Sequence, residues 1–392
     1  MYWTKISRVI QVKALRSTVS LLAIGVFVAT VTACAIGSSR ELRSTRSTST
    51  KAASSKPARS LVMIDAKTGA LDLSFPDAYG ATSVIADGSG GWYVGGSIKR
   101  VGETARNGLA HLSSDGSLDP AFVPDMPRHD LVYSTLLHRN ELFAGCDTLG
   151  VIAFDARTGK RLWRVSTKGG RVTSLAYWKG VLFVGGAFER IGGVRRSGIA
   201  AIDPTTGKPT SWHVKTSAMA VDVAVENGVV YIGGGFDNIG GKKRPLGLAA
   251  VSARTGRLTA WAPRLKGAGS LDSVDSVFVT HGQVLAGSVD YGFAAFSTRT
   301  GDALRWPERL LGSAWVFAVS SDTVFLAGIA DAPFNRAGGK PAHSLASVVL
   351  PEGRFTNWRP NLGNCPGFYG LGVSGRKVLA AGYFWEPGDN KC

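Results

Sequence analysis

Val172-Thr-Ser-Leu-Ala-Tyr-Trp178, Lys179-Gly180, Val181-Leu-Phe-Val-Gly-Gly186 reads as an apolar strand, a two-residue turn and a second apolar strand. The chain continues through Phe188-Glu-Arg-Ile-Gly-Gly193 to Ile199-Ala-Ala-Ile-Asp203, Thr206-Gly207 and Trp212. The next stretch copies it: Val230-Tyr-Ile-Gly-Gly234, Phe236-Asp-Asn-Ile-Gly-Gly241, Leu248-Ala-Ala-Val251, Thr255-Gly256 and Trp261. Working outward, a hydrophobic strand closed by a small residue and Gly recurs at Gly95, Gly145, Gly185, Gly233, Gly287, Gly328 and Gly382. A second signature is a short strand, a Gly turn and then an aromatic. Its glycines are Gly69, Gly116, Gly159, Gly207, Gly256, Gly301 and Gly353, and its aromatics are Phe75, Phe122, Trp163, Trp212, Trp261, Trp306 and Trp358.

Both signatures count to seven. The 43 to 52 residues between turn glycines suit four strands of about five residues with short connections. Thr-Gly and Asp-Gly supply the positive φ of tight turns at low steric cost. The recurrent aromatic then falls on the outermost strand, where it packs between neighbours. These spacings predict an all-β, seven-bladed β-propeller of four-stranded antiparallel blades over residues 60–392. A β-helix has a shorter period and no such aromatic, and a sandwich has no sevenfold self-similarity. The phase gives the closure: the chain starts on a half unit, Leu61-Val-Met-Ile-Asp65 to Phe75, and ends on the other half around Val378-Leu-Ala-Ala-Gly382. The last blade is therefore expected to be built from both chain ends, which removes edge strands.

Val151-Ile-Ala-Phe-Asp155 with Thr158-Gly159 and Trp163, and its counterpart at 199–212, resemble the tryptophan-docking repeats of quinoprotein-like (PQQ-type) propellers. The Gly-Gly-x-Phe-x-x-Ile-Gly-Gly elements at 185–193 and 233–241 resemble delta-60 repeats of exported bacterial proteins. The resemblance implies a propeller whose superfamily spans redox enzymes, envelope assembly lipoproteins and binding modules, so fold alone does not fix function. A quinone-dependent dehydrogenase of that superfamily resembles a larger chain, and many carry an adjacent Cys-Cys pair that this sequence lacks. Asp65, Asp155 and Asp203 stand at the docking-repeat position, where a carboxylate accepts backbone N–H bonds from its own turn. No catalytic residue, cofactor or metal is assigned, because the six His are dispersed without H-x-x-H spacing. The alternative is a hydrolase or lyase whose residues converge from several blades at the channel mouth.

Composition sets the outer limits. Fifty Gly and 36 aromatics in 392 residues, with 44% hydrophobic residues, exclude disorder throughout, and four Cys are too few for a disulfide scaffold. The net charge of +17 is unevenly spread. Residues 1–59 hold ten basic residues against Glu41, and residues 60–392 hold 35 against 27. The latter are scattered through turns without a basic helix or Cys/His finger, so nucleic acid is not expected as a partner.

Lys5, Arg8, Lys13 and Arg16 precede an uncharged run, Ser17 to Ser39. That is the charge pattern of an export signal. Val31-Thr-Ala-Cys34 resembles the lipobox of bacterial lipoproteins, which implies cleavage after residue 33 and a lipid anchor on Cys34. A cleaved signal without lipid and an uncleaved membrane helix are the alternatives, and all three put the remainder outside the cytoplasm. Residues 34–59 read as a disordered, basic, Ser/Thr-rich tether. With Cys34 lipidated, Cys146, Cys365 and Cys392 remain; a Cys365–Cys392 bridge would pin the tail and leave Cys146 buried as a small hydrophobe.

These readings converge on a lipid-anchored module facing outside a bacterial cell membrane, non-catalytic, that binds or scaffolds another envelope protein or a polysaccharide. The candidate partner surfaces are the loops that break the repeat pattern, among them the one with Arg128 and His129, and the two equivalent basic loops that follow the Gly-Gly extensions one blade apart, Arg195 and Arg196 and then Lys242, Lys243 and Arg244.

Overall fold

The computed structural model describes residues 59–384 apart from loop segments at 127–129, 245, 265–272, 289–291, 307–309, 312–313, 315, 329–335, 338–339, 342–343 and 363–366. Within them every regular element is a β-strand.

Seven antiparallel sheets account for the repeats. The first comprises Ala81–Ala86, Trp92–Gly96 and Leu109–Leu112; the second Val132–His138, Glu141–Cys146, Val151–Asp155 and Arg161–Val165. The third is Val172–Trp178, Val181–Gly186 and Ile199–Ile202; the fourth Ala220–Glu226, Val229–Gly234 and Leu248–Ser252. The fifth is Ser276–Thr280, Gln283–Ser288 and Gly292–Ser297; the sixth Val316–Ser320, Thr323–Ala327, Leu345–Val349 and Arg354–Phe355. The seventh takes Gly367–Ser374 and Lys377–Phe384 from one end of the chain, and Arg59–Asp65 and Leu71–Asp72 from the other.

That shared sheet is the one expected from the phase of the repeats. Leu61 lies opposite Ala381, Ile64 opposite Val378 and Asp65 opposite Lys377. The first strand begins at Arg59, inside the span assigned to the tether. Its guanidinium donates to the Leu73 carbonyl at 2.6 Å and to that of Phe75.

The expectation of four strands per sheet needs correction. Among the described residues only the second, sixth and seventh sheets have four. In the first, third, fourth and fifth the outermost strand shrinks to a single bridge: Leu112 to Leu118, Ile202 to Pro209, Val251 to Leu258 and Phe296 to Ala303. In the third and fourth sheets, Thr210 and Thr259 each make a backbone N–H bond to the adjacent strand. The chain then departs so that Trp212 and Trp261 can reach the next sheet.

Two repeated devices join neighbours. In the first four sheets the glycine near the end of the second strand leaves room for a valine of the next sheet. A Cβ on Gly95 would stand 2.8 Å from Val132 Cγ1, on Gly145 2.7 Å from Val172 Cγ1, and on Gly233 2.6 Å from Val277 Cγ2. The turn glycines serve the other device. All seven have φ between 70° and 89°, and each turn receives the aromatic segment of the preceding unit. Trp212 Nε1 donates to Ser252 O at 3.0 Å and Trp261 Nε1 to Ser297 O at 2.8 Å. Across 293 residues, Trp358 Nε1 donates to Asp65 O at 2.8 Å.

The core follows the same logic. Seven hydrophobic clusters lie one between each pair of successive sheets, and one of them joins Leu61, Met63 and Leu379 of the seventh sheet to Val84, Trp92 and Val94 of the first. Cys146 belongs to the cluster between the first and second sheets as a fully buried free thiol, the small-hydrophobe role expected for it.

Candidate functional site

Antiparallel pairing gives each sheet two unlike ends. At one end the first strand returns to the second through minimal turns, such as Lys179-Gly180 and Asn227-Gly228, in which both residues have positive φ. The third strand reaches its outer segment at the same end through the Thr-Gly turns. There Asp65 Oδ1 accepts the N–H groups of Lys67 at 3.0 Å and Thr68 at 2.7 Å, and Asp155 and Asp203 do the same in their own turns. The Thr68 bonds, chiefly, hold the Asp65 carboxyl down at about 2. These aspartates are turn-forming, as the sequence indicates.

The opposite end carries everything elaborate. There the second strand passes to the third through the Gly-Gly extensions, and each unit passes to the next through the pattern-breaking loops. The extension at 185–193 folds into a hairpin, Arg190–Ile191 with Val194–Arg195, and that at 233–241 into Asn238–Ile239 with Lys242–Lys243. Two further hairpins were missed in the sequence: Arg100–Val101 with Thr104–Ala105, and Arg336–Ala337 with Lys340–Pro341. Glu103 where the others have Gly hid the first, although Arg100 and Arg106 keep the spacing of Arg190 and Arg196. An Ala in place of Ile hid the second.

The hairpins are braced rather than free. Thr167–Lys168, on the way into the third sheet, pairs with Arg190–Ile191, and Thr216 bridges Ile239. Arg196, half-buried, donates from Nη1 to Arg195 O and from Nη2 to Thr210 O, both at 2.9 Å. Arg106 makes the equivalent bonds to Ala105 O and Asp119 O, and Arg244 donates to Lys243 O. Of the basic residues expected at partner-binding loops, Arg195, Lys242 and Lys243 are therefore exposed, whereas Arg196 and Arg244 turn inward and lock the hairpin stems. Arg128, His129, Cys34, Cys365 and Cys392 lie outside the described residues.

Two polar clusters deserve comparison with catalytic arrangements. His111 is held between Asp119 Oδ2 at 2.8 Å and Asp87 Oδ2 at 3.1 Å and stacks on Tyr93, whose hydroxyl donates to Ala156 O at 2.6 Å. Burial, and then the charges of Asp87, Asp119 and Asp155, push that phenol up to about 12. Both imidazole nitrogens and the phenol proton are thus engaged, so the cluster pins strand to turn. Asp222 lies on the first strand of the fourth sheet. Its carboxyl, enclosed by protein although the residue keeps some surface, accepts Val277 N–H at 2.6 Å and Val223 N–H at 2.8 Å. Burial raises it to about 6 against the pull of those bonds. It stitches the fourth sheet to the fifth. Neither cluster signals itself by local spacing, since the partners lie up to 55 residues apart.

Clefts of about 500 and 410 Å³ open on the short-turn end, one beside Trp178, Trp212 and Arg254 and the other beside His138 and Tyr177. They occupy equivalent positions between successive sheets, as spaces left by the repeat.

Sheets of this order, with tryptophans docked on neighbouring turns, have the arrangement expected of PQQ-type repeats. Residues 148–303, from the second sheet to the fifth, match the family described as outer membrane protein assembly factor BamB. No curated protein matches the chain. Similar solved structures include the computationally designed Ika8 protein (TM-score 0.52, 12% identity, 79% of this chain and 97% of that one). Another is a chain in the Mitotic Checkpoint Complex (TM-score 0.53, 13% identity, 90% and 99%). At such identities the likeness is one of fold.

Proposed function

We propose that this protein is a non-catalytic interaction module, a closed seven-bladed propeller held outside the cytoplasm of a bacterium by a lipid on Cys34, whose long-loop face docks a protein of the cell envelope. The unlike ends of the sheets carry this reading. One face is reduced to the turns that the ring needs, while the other bears braced hairpins and long connections that contribute little to the strand ladders. Surface that is costly to order and unnecessary for the fold is where recognition resides. The match of residues 148–303 to an envelope assembly factor supports a protein as the partner. Seven inter-sheet clusters and the Trp358–Asp65 bond support the closed ring.

The test places a photo-crosslinking side chain at Thr104 or Lys242 on the long-loop face, and at Lys67 or Lys208 on the short-turn face, in the native host. Discrete protein adducts from the first pair alone are expected. Adducts from both faces alike, or from neither, reject the assignment. Radiolabelled fatty acid should enter the wild type and not Cys34→Ala; equal labelling rejects the anchor.

A further inference from the structure

The four hairpin extensions are alike in carrying a net positive charge. Each 12-residue extension, at 97–108, 187–198, 235–246 and 333–344, has a net charge of +2. Together they equal the whole net charge of residues 60–392, so the rest of that span is neutral. In the small hairpin sheet that adjoins the third sheet the arrangement is sharper. Lys168 lies opposite Arg190, and Arg190 opposite Arg195, so three cations stand in register across three adjacent strands. Residues directly opposite on neighbouring strands point to the same side, with Cβ atoms about 5 Å apart, and like charges there repel. The row one step along contains Ile191, which is fully buried. The cationic row therefore faces away from the core, and all three residues are exposed. Among the described residues none of them forms an ion pair. An uncompensated row on a braced scaffold is a surface made for anionic groups.

The path of the chain identifies which anionic groups. Arg59 starts the third strand of the seventh sheet opposite Phe384, the position at which other sheets carry their hairpins. The first described residue thus enters the sheets at the hairpin end. On that side too, Tyr79 is 61% exposed, in the connection between the seventh and first sheets. It lies near Tyr383, which stacks edge-on with Tyr369 at 5.6 Å. An exposed tyrosine on the same end of the sheets as exposed cations is a combination suited to lipid headgroups.

We infer that the propeller rests on its own membrane with the hairpin face down, its cationic rows against anionic phospholipid headgroups. This rests on the anchoring proposed above. It adds an orientation: a protein partner reached through that face is met at the bilayer surface.

The experiment uses the full chain reconstituted in nanodiscs, with a dye at Val194→Cys on a hairpin or at Lys208→Cys on the opposite face, in a Cys146→Ser background, and with a headgroup quencher in the bilayer. In discs containing phosphatidylglycerol the hairpin dye is quenched and the opposite dye is not. Quenching is lost in phosphatidylcholine discs or in 0.5 M salt. Each surface cation contributes roughly a 5-fold bias toward an anionic bilayer. Arg190→Gln with Arg195→Gln should then lower the ratio of docked to undocked protein by about 25-fold. A hairpin dye unquenched in anionic discs overturns the inference, whether or not the chain stays with the disc; retention separately reports the anchor. Protection of that dye by polyphosphate but not by discs would also overturn it, in favour of a soluble anionic polymer. Crosslinking to an envelope protein with no quenching leaves the docking function standing and removes the orientation.

Discussion

Replacing Trp358 with Phe tests whether the ring is closed by its own repeat chemistry. The indole is buried, packs edge-on against Phe325 with centroids 4.7 Å apart, and donates to Asp65 O at 2.8 Å. Phenylalanine keeps most of the packing and removes the donor. The Asp65 carbonyl also accepts the Gly69 N–H at 2.9 Å, so it is left with one bond rather than none. The loss is then that of an ordinary intramolecular bond, about 0.5–1.5 kcal/mol. The missing pyrrole portion withdraws a further ~40 Å² of apolar contact, about 1 kcal/mol. The sum is about 2 kcal/mol, or a fall in melting temperature of roughly 3–6 °C. Trp212→Phe removes the same kind of bond from an interior junction and sets the scale. Trp306→Phe should cost less, because its N–H reaches only the Gln283 side chain at 3.3 Å. Thermal and urea unfolding of the three variants give the comparison. If Trp358→Phe melts with the wild type while Trp212→Phe falls, the junction between chain ends bears no load and the closed ring is refuted.

Three other measurements probe the interior. Gly145→Ala should lose about 1–3 kcal/mol by pressing its methyl on Val172. The double variant with Val172→Ala should then lose at least about 1 kcal/mol less than the sum of the single variants, and strict additivity would show that the contact is relieved elsewhere. For Asp222 the folded carboxyl titrates at about 6, above its unfolded value of 3.8. The stability it contributes is therefore complete below pH 3.8 and is lost as pH rises through 6, on the order of 3 kcal/mol. Urea unfolding at pH 4.5 and 7.5 should show Asp222→Asn gaining on the wild type with rising pH, and parallel profiles would refute the burial. The Cys146 thiol, pushed up by burial, should resist Ellman's reagent in the native protein. One thiol per chain should appear on unfolding of the mature protein; three would reject the Cys365–Cys392 bridge.

The repeat was legible because its constraints are local and steric. A positive φ at Gly69 or Gly207 has to be paid in sequence at that very position, as has the space that Val172 takes from Gly145. The shared seventh sheet was legible from phase alone. The shortened outer strands were not, because the pull that ends them comes from a carbonyl on the next sheet, some 40 residues on. Nor was the inward turn of Arg196 and Arg244. In sequence they continue the basic runs of Arg195 and of Lys242-Lys243, and only the pairing of the hairpin separates the residues that face solvent from the one that clamps the stem.

That separation bears on how the two faces can diverge. Every device that recurs around the sheets, whether valine against glycine or indole against carbonyl, lies in the strands or at the short-turn end. A substitution there is felt by two sheets at once. The row of Lys168, Arg190 and Arg195 touches neither device, and its mutual repulsion makes neutralisation of Arg195 mildly stabilising, within about 0.5 kcal/mol. Such a surface contributes nothing to the fold and is free to serve a contact outside it. A variant neutral at Arg190 and Arg195 that melts no lower than the wild type yet leaves the bilayer would separate the two demands directly.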